Sequence, residues 1–427
     1  MKHIQFIILL LITTVSFSQE IPQALSLQEA IDYALQNNRV AKNAQRDIEA
    51  AKQQKWETIA SGLPQISASI DYNNWLKQQV SLIPAEFFGG NPGEFAEVTF
   101  GTKQTMNATA TLKQKIFDGS YLVGLQSAKV FLEISKNAKE KTDLEIREAV
   151  INAYGNVLLS EESVKILERN INVLEKNLNE TTKIFENGLG EEESVEQLQI
   201  TLSSIKSSLS NTERLKTLAY KMLNITLGVD LNSTIQLTDN LNSLTSQNVV
   251  LSLLDAEENV EQTIDYKIAV NDKVSKELLL KLEKSKALPT LNAFINGGYS
   301  GNNDKFQFLK NSQEWFGSSL VGVSMDIPIF SSGMRAAATH RAKINLEKAI
   351  DNLTETEQQL KLQIESAKSE YRFAIEDYHN KQENLSLAER IERKNQVKFF
   401  EGISSSFDLR QAQTQLYTSQ QELLQSM

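Results

Sequence analysis

The sequence predicts a mainly α-helical fold with a small β part: long antiparallel coiled-coil helices and four amphipathic strands. Three observations predict it. The first is a shortage of helix breakers. The 427 residues include 18 glycines and 6 prolines, about 4% and 1.4% against usual levels of about 7% and 5%. Prolines stand at 22, 64, 84, 92, 289 and 328, so none falls between Gly93 and Leu288 or after Ile329. Proline-free stretches of roughly 200 and 100 residues read as very long helices. The second is an apolar residue every seven positions over much of those stretches. The third is a switch to strict two-residue alternation in four places.

The first residues form a leader. Lys2 and His3 precede an apolar run from Ile4 to Val15, followed by Ser16-Phe17-Ser18. The run is shorter than the ~20 residues that span a bilayer. It reads as a signal peptide over residues 1–18, with the mature chain starting near Gln19. No later segment has 18 consecutive apolar residues. An exported chain without a spanning helix is periplasmic, extracellular or an outer-membrane β-barrel.

Helix is expected from Ser26 to about Ser61, with a stripe of Leu27, Ala30, Ile31, Ala34 and Leu35, ended by Pro64. Ile66, Ala68, Ile70 and Tyr72 then alternate with Ser67, Ser69 and Asp71. Met106, Ala108, Ala110 and Leu112 alternate with Asn107, Thr109 and Thr111. Leu291, Ala293, Ile295, Gly297 and Tyr299 do the same, with Phe294 as an exception. Val321, Val323, Met325 and Ile327 alternate with Gly322, Ser324 and Asp326. A strand with one apolar and one small polar face suits a barrel wall between lipid and a wet lumen, or a hairpin on a soluble core. The intervening segments 75–102 and 300–316 carry Pro, Gly, Asn and aromatic residues, as turns at a barrel mouth do.

The long helices carry heptads. Val150, Val157, Val164, Ile171, Leu178 and Phe185 fall every seven residues, with Leu167 and Leu174 beside them. Later, Ile364, Tyr371, Tyr378, Leu385, Glu392 and Phe399 repeat the spacing, with Leu360, Ala367 and Ala374 beside them. A sustained 3.5-residue repeat means coiled-coil packing. A helix from 120 to 187 would be about 100 Å long. Its reversal at Gly188-Leu189-Gly190 pairs it with a return helix.

The chain also repeats itself. Leu63-Pro64 recurs as Leu288-Pro289, Ile116-Phe117-Asp118-Gly119 as Ile329-Phe330-Ser331-Ser332-Gly333, and Phe185-Glu186-Asn187-Gly188 near Phe399-Phe400-Glu401-Gly402. Anchors in one order define two copies of a unit of about 215 residues. After the leader, the first copy is 19–240, with strands in 64–117 and a helix pair in 120–227. The second is 241–427, with strands in 289–330 and a helix pair in 333–427. About 40 residues follow the first reversal before Gly228, but only 25 follow Gly402. The last helix thus falls ~15 residues short of the strand level, as a truncated C-terminus or a shorter final helix would.

Four strands cannot close a barrel, and an open edge in lipid leaves backbone groups unpaired. If the strands are transmembrane, several chains share one barrel. Two chains give eight strands, whose interior fills with side chains; three give twelve and a lumen. The small residues Ser67, Ser69, Thr109, Thr111, Gly298, Gly322 and Ser324 suit an open lumen, so the strands predict a homotrimeric conduit.

Leu27-Gln28-Glu29-Ala30-Ile31 with Ala34 and Asn37-Asn38 resembles the TolC-like outer-membrane efflux proteins. So do the two Leu-Pro strand entries, and Phe400 with Gly402, Ser405 and Asp408-Leu409 before Gln411-Ala412-Gln413. The resemblance covers nearly the whole mature chain. It implies a trimeric 12-stranded barrel in outer-membrane lipid and an α-helical tunnel in the periplasm. It further implies a periplasmic adaptor (membrane fusion protein), an inner-membrane pump of RND, ABC or MFS type, and export of drugs, metals or proteins. The adaptor-docking tips would be Gly188, Leu189 and Gly190, and Gly402, Ile403 and Ser404. Tip glycines also serve helix reversal itself. Asp408 stands where the family narrows its tunnel with acidic residues, and Gln411 takes the next such position, giving a weaker ring. A helix-start role for Asp408 is the other reading. Glu191, Glu192 and Glu193 suit a helix N-terminus.

Other functions fit less well. A soluble periplasmic coiled-coil adaptor or stalk shares the leader and heptads but needs neither the strand pairs nor the repeat. No cysteine is present, and the histidines number 3, which excludes disulfides, thiol catalysis, Cys-based zinc sites and an N-terminal lipid on cysteine. His340 and His379 have no His or Cys at ligand spacing, and no G-x-S-x-G, P-loop, H-E-x-x-H or GxGxxG motif occurs. No enzyme and no cofactor is expected. The net charge of -10 disfavours nucleic acid.

Overall fold

The computed structural model describes residues 23–247, 249–256 and 259–427. The expected leader lies outside the described residues. In chain order the strands are β1 (Ala24–Leu25), β2 (Gln65–Asn74), β3 (Val80–Pro84), β4 (Phe95–Thr99), β5 (Gln104–Phe117), β6 (Gln236–Leu237), β7 (Thr290–Asn303) and β8 (Trp315–Asp326). The helices are α1 (Leu27–Asn37), α2 (Arg39–Ala60), α3 (Gly119–Glu186), α4 (Glu192–Leu227), α5 (Leu241–Gln247), α6 (Ile264–Ser285), α7 (Met334–Phe400) and α8 (Ser406–Ser426). The chain divides into two compact units: residues 48–136 with 267–355, which hold the strands β2–β5, β7 and β8, and the remainder.

The helix expected from Ser26 to Ser61 is two helices. Ser26 starts α1 with a capping box: its Oγ accepts the Glu29 amide, and Glu29 Oε2 accepts the Ser26 amide at 2.8 Å. Asn38 then leaves the helical region at ψ 137. Its Oδ1 accepts the Val40 amide at 2.7 Å, starting α2, and its Nδ2 donates to the Thr226 carbonyl at 2.7 Å. A residue that caps a new helix competes with continuing the old one. The apolar stripe runs straight through the break, so periodicity does not reveal it.

In the helical unit, Ala30, Ile31 and Ala34 of α1 pack on Val150, Tyr154 and Val157 of α3 and Leu223 and Leu227 of α4. Tyr154 is fully buried. Its hydroxyl lies 3.0 Å from the Leu25 carbonyl and 2.9 Å from Asp239 Oδ2, which also accepts the Leu27 amide. Burial, then the Asp239 hydrogen bond, push the Tyr154 hydroxyl up, so it remains a donor. A second core joins Ile171 and Leu174 of α3 to Leu198 and Leu202 of α4. The first heptad seam is therefore buried from Val150 to Ile171, while Phe185 emerges near the reversal. The second seam differs: Leu360 is buried, Ala367 and Ala374 are exposed, and Tyr371 and Tyr378 are half-buried. The return helix α4 has 36 residues and α8 has 21. Glu422 of α8 meets Lys381 of α7 at 3.0 Å, and farther along the seam the Val250 amide donates to the Tyr371 hydroxyl at 2.8 Å.

In the strand unit, β2, β5, β7 and β8 form one antiparallel sheet in that order. The two expected hairpins are thus joined through β5 and β7. Asp118 turns β5 into α3: its Oδ1 accepts the Ser120 amide at 2.9 Å and the Tyr121 amide at 3.2 Å. Segment 75–102 is more ordered than a turn. It holds β3 and β4 as a separate antiparallel pair, joined by a 3-10 turn at Ala85–Phe88.

Candidate functional site: an amphipathic four-stranded wall and two helix tips

Residues opposite one another in an antiparallel pair point to the same face. The register therefore decides whether the four apolar sets coincide, and they do. One row is Ile66, Leu112, Ile295 and Val321. Next come Ala68, Ala110, Gly297 and Ser319, then Ile70, Ala108, Tyr299 and Gly317, then Tyr72, Met106, Gly301 and Trp315. Ala293 pairs with Val323 and Leu291 with Met325 in the opposite direction. From Leu291 to Gly301 the face rises about 34 Å along the strand. At a tilt of ~40° that is about 26 Å across a bilayer, close to the ~25 Å apolar band of a membrane barrel.

Ser67, Ser69, Thr109, Thr111, Gly298, Gly322 and Ser324 all fall on the other face, with Asp71, Asn107, Asn296 and Lys113. Ser69 Oγ lies 2.9 Å from Thr109 Oγ1, and Ser300 Oγ donates to Asn107 Oδ1 at 2.7 Å. Phe294, Leu320 and Phe316 share this face, so it is less uniformly polar than expected. Phe294 lies over Gly322, where a Cβ would stand 2.6 Å from its Cζ. Among the described residues β2 and β8 each have only one strand neighbour, on their inner sides.

The two helix reversals use the same backbone device. Gly188 and Gly402 both have φ of 72°. At the first, the Gly188 amide donates to the Phe185 carbonyl at 2.8 Å and the Leu189 amide to the Ile184 carbonyl at 3.0 Å. At the second, Gly402 donates to Phe399 at 3.0 Å and Ile403 to Lys398 at 2.8 Å. These are Schellman closures, which require a left-handed residue at that point. A Cβ at either glycine would meet nothing within 4 Å, so the residue is set by backbone conformation alone. Leu189 and Ile403 follow, 81% and 72% exposed. Such a residue often packs back on the last helical turn; here both point out.

Beyond the tips the two helix starts differ. Glu191 precedes α4 without a side-chain cap, and Glu193 accepts from Gln197 at 2.7 Å. Ser405 caps α8 in a box with Asp408. Asp408 Oδ2 accepts the Ser405 amide at 3.1 Å and faces the Ser405 and Ser404 hydroxyls at 2.7 and 3.0 Å. The Ser405 side-chain bond, then its amide and Ser404, hold the Asp408 carboxyl below its ordinary range. Asp408 and Gln411 are exposed on one side of α8, while Leu409, Ala412 and Gln413 are buried on the other.

Amide pairs link the two helix hairpins: Asn170 Nδ2 donates to Gln420 Oε1, and Gln396 Nε2 to Asn177 Oδ1, both at 2.9 Å. Sequence reasoning missed these. Asn170 and Asn177 are seven apart beside the apolar seam, which was the available signal. Glu392, at a seam position, is pushed up by burial, opposed by Gln413 and Arg393. No cluster of three or more His, Cys, Asp or Glu able to hold a metal occurs among the described residues, nor any helix long and apolar enough to cross a membrane.

A wall with one lipid-compatible face, joined to long paired helices, defines a channel subunit. The outer membrane efflux protein family model matches residues 30–229 and 279–426, and the chain belongs to that family. Solved structures with the same fold include the outer membrane protein VceC of Vibrio cholerae, at 15% identity and a TM-score of 0.70 over 94% of this chain and 92% of that one. The CmeC outer membrane channel of Campylobacter jejuni matches at 18% identity and 0.71, over 94% and 82%. The open-state MtrE channel of Neisseria gonorrhoeae matches at 16% and 0.68, over 94% and 85%. No curated protein matches the sequence. The protein is thus an outer-membrane efflux channel component and a conduit rather than an enzyme.

Proposed function

We propose that three copies of the chain form one 12-stranded barrel, continued by a helical tunnel in the periplasm. It would pass substrates from an inner-membrane pump and its adaptor to the exterior. The observation that carries this is the register: four strands share one apolar face, with β2 and β8 left as sheet edges. In lipid those edges must pair, and pairing β2 of one copy with β8 of the next removes every edge. The test is native mass after extraction in mild detergent. The expected result is release only by detergent, at three times the mature chain mass. A monomer released without detergent would instead favour a soluble coiled-coil stalk.

The tips, Gly188-Leu189-Gly190 and Gly402-Ile403-Ser404, are proposed as the adaptor-docking surface. Their exposed Leu189 and Ile403 are the support. Pump type is left open between RND, ABC and MFS.

Asp408 and Gln411 are proposed as the tunnel constriction. Three Asp408 carboxylates near one axis would attract cations and bind a blocking one. Because the capping box already engages Asp408, substitution changes two things. Ser405→Ala should loosen the start of α8 without removing charge. Asp408→Asn should remove the charge. In planar bilayers the expected result is weaker block by multivalent cations in Asp408→Asn and near-normal block in Ser405→Ala. Equal block in Asp408→Asn and the unaltered protein would remove Asp408 from the gate. A carboxyl held below its ordinary range keeps its charge as pH falls until that lowered value is reached. Block should therefore be flat between about pH 5 and 8.

A further inference from the structure

The segment between β7 and β8, residues 304–314, does not stand over the polar face of the sheet. It folds back against the last row of the apolar face. Phe308 is 3% exposed. Its ring lies 6.0 Å from Tyr72 and 6.3 Å from Trp315, and it also reaches Gly301. Phe306 packs edge-on against Tyr72 at 5.6 Å and Phe308 at 5.7 Å. Tyr72, Gly301 and Trp315 belong to one register row. Gly301 lets the rings sit close, since a Cβ there would stand 3.2 Å from Phe308 and Trp315 and press on both.

The outer side of this strap is amphipathic. Phe306 and Leu309 remain exposed. Lys305 and Lys310 stand on either side of them, both exposed, and neither ammonium has an ion-pair partner among the described residues. The nearby Asp304 is turned back to the sheet, where its Oδ1 accepts the Lys103 amide at 3.0 Å. Apolar rings continuous with a lipid-facing surface and flanked by free ammonium groups match the boundary where acyl chains meet charged headgroups.

We propose that residues 304–314 form a clamp for a phosphorylated lipid headgroup of the outer leaflet. Phe306 and Leu309 enter the acyl boundary, and Lys305 and Lys310 take the phosphate. The strap thereby fixes the rim of the barrel to the membrane it sits in. This rests on the barrel reading above, because the Tyr72 row must face lipid.

The test uses full-length protein extracted in mild detergent, with bound lipid measured by mass spectrometry and thermal stability measured with added diphosphoryl lipid A. Unaltered protein should retain lipid A and melt higher in its presence. Lys305→Gln/Lys310→Gln should retain at least tenfold less, while Lys305→Arg/Lys310→Arg should retain a normal amount. Equal retention by the Gln pair would overturn the clamp. So would equal retention of lipid A stripped of its phosphates, or the same thermal shift with inorganic phosphate alone, which would mark a free-anion site. Both variants should still require detergent for release and keep the native mass. A soluble unaltered protein would overturn the barrel and the clamp together; a membrane-bound trimer with no lipid A preference would overturn only the clamp.

Discussion

Val321→Arg should abolish assembly in the outer membrane, whereas Leu320→Arg, one residue earlier, should assemble normally. Both positions are exposed apolar residues on β8, so composition and exposure do not separate them. The register does. Val321 stands in a row with Ile66, Leu112 and Ile295, near the middle of the apolar face. Leu320 stands opposite Asn296, which pairs with Thr111, which pairs with Ser67. An arginine facing lipid at the bilayer midplane costs about 2–4 kcal/mol. Three copies would lose ~6–12 kcal/mol, comparable to the whole stability of an ordinary domain at about 5–15 kcal/mol. An arginine in a wet lumen keeps its hydration and instead adds positive charge to the pore. The measurements are heat-resistant trimer in the outer-membrane fraction and, for Leu320→Arg, single-channel ion selectivity, which should shift toward anions. Similar assembly of the two variants would sink the assignment of faces.

The faces were legible in the sequence because strand alternation survives without knowledge of partners. Ile66, Ala68, Ile70 and Tyr72 had to share one side whatever they paired with. Joining β5 to β7 was not legible, since 172 residues separate Phe117 from Thr290 and alternation carries no address. The tips were legible through glycine: a left-handed backbone closing a long helix has few alternatives, and Gly188 and Gly402 supply it. The Asn38 break was hidden because an asparagine inside a helical pattern reads as tolerated until Val40 and Thr226 claim its side chain. The second heptad seam over-predicted burial. Period alone marks which residues could meet a partner, and Ala367 and Ala374 stand exposed within the chain. The β3–β4 pair in segment 75–102 was missed because its five-residue strands contain Pro84 and flank a glycine-rich stretch, both signals for loop.

Asp408 shows why a residue can be singled out without its role being fixed. Its place three residues after Ser405 is a capping-box spacing, and the structure forms that box. The cap explains the residue locally. It does not use up the charge, because the carboxylate stays ionised and exposed on the side of α8 that carries Gln411.

The tips offer the largest functional effect obtainable without touching the fold. Leu189→Ser/Ile403→Ser should reduce efflux to the level of cells lacking the protein while leaving the channel intact. The side chains are 81% and 72% exposed, and neither contributes to a core cluster. Surface changes of this kind alter stability by about 0.5 kcal/mol or less. The Schellman closures depend on the Leu189 and Ile403 amides, which serine retains. An exposed leucine or isoleucine at each of two matched reversals has no packing function inside the chain. Exposed apolar anchors of that size suit a protein partner, where a few buried side chains carry most of the binding energy. The adaptor would meet six such anchors in a trimer, so single substitutions should show weaker defects than the pair. Three readouts separate the outcomes: trimer yield, single-channel conductance and cross-linking to the adaptor of a photoreactive residue placed at the exposed neighbouring positions 191 or 401. Normal trimer and conductance with lost cross-links and lost efflux is the expected pattern. Full efflux with both tips altered would move the docking surface elsewhere on the helices.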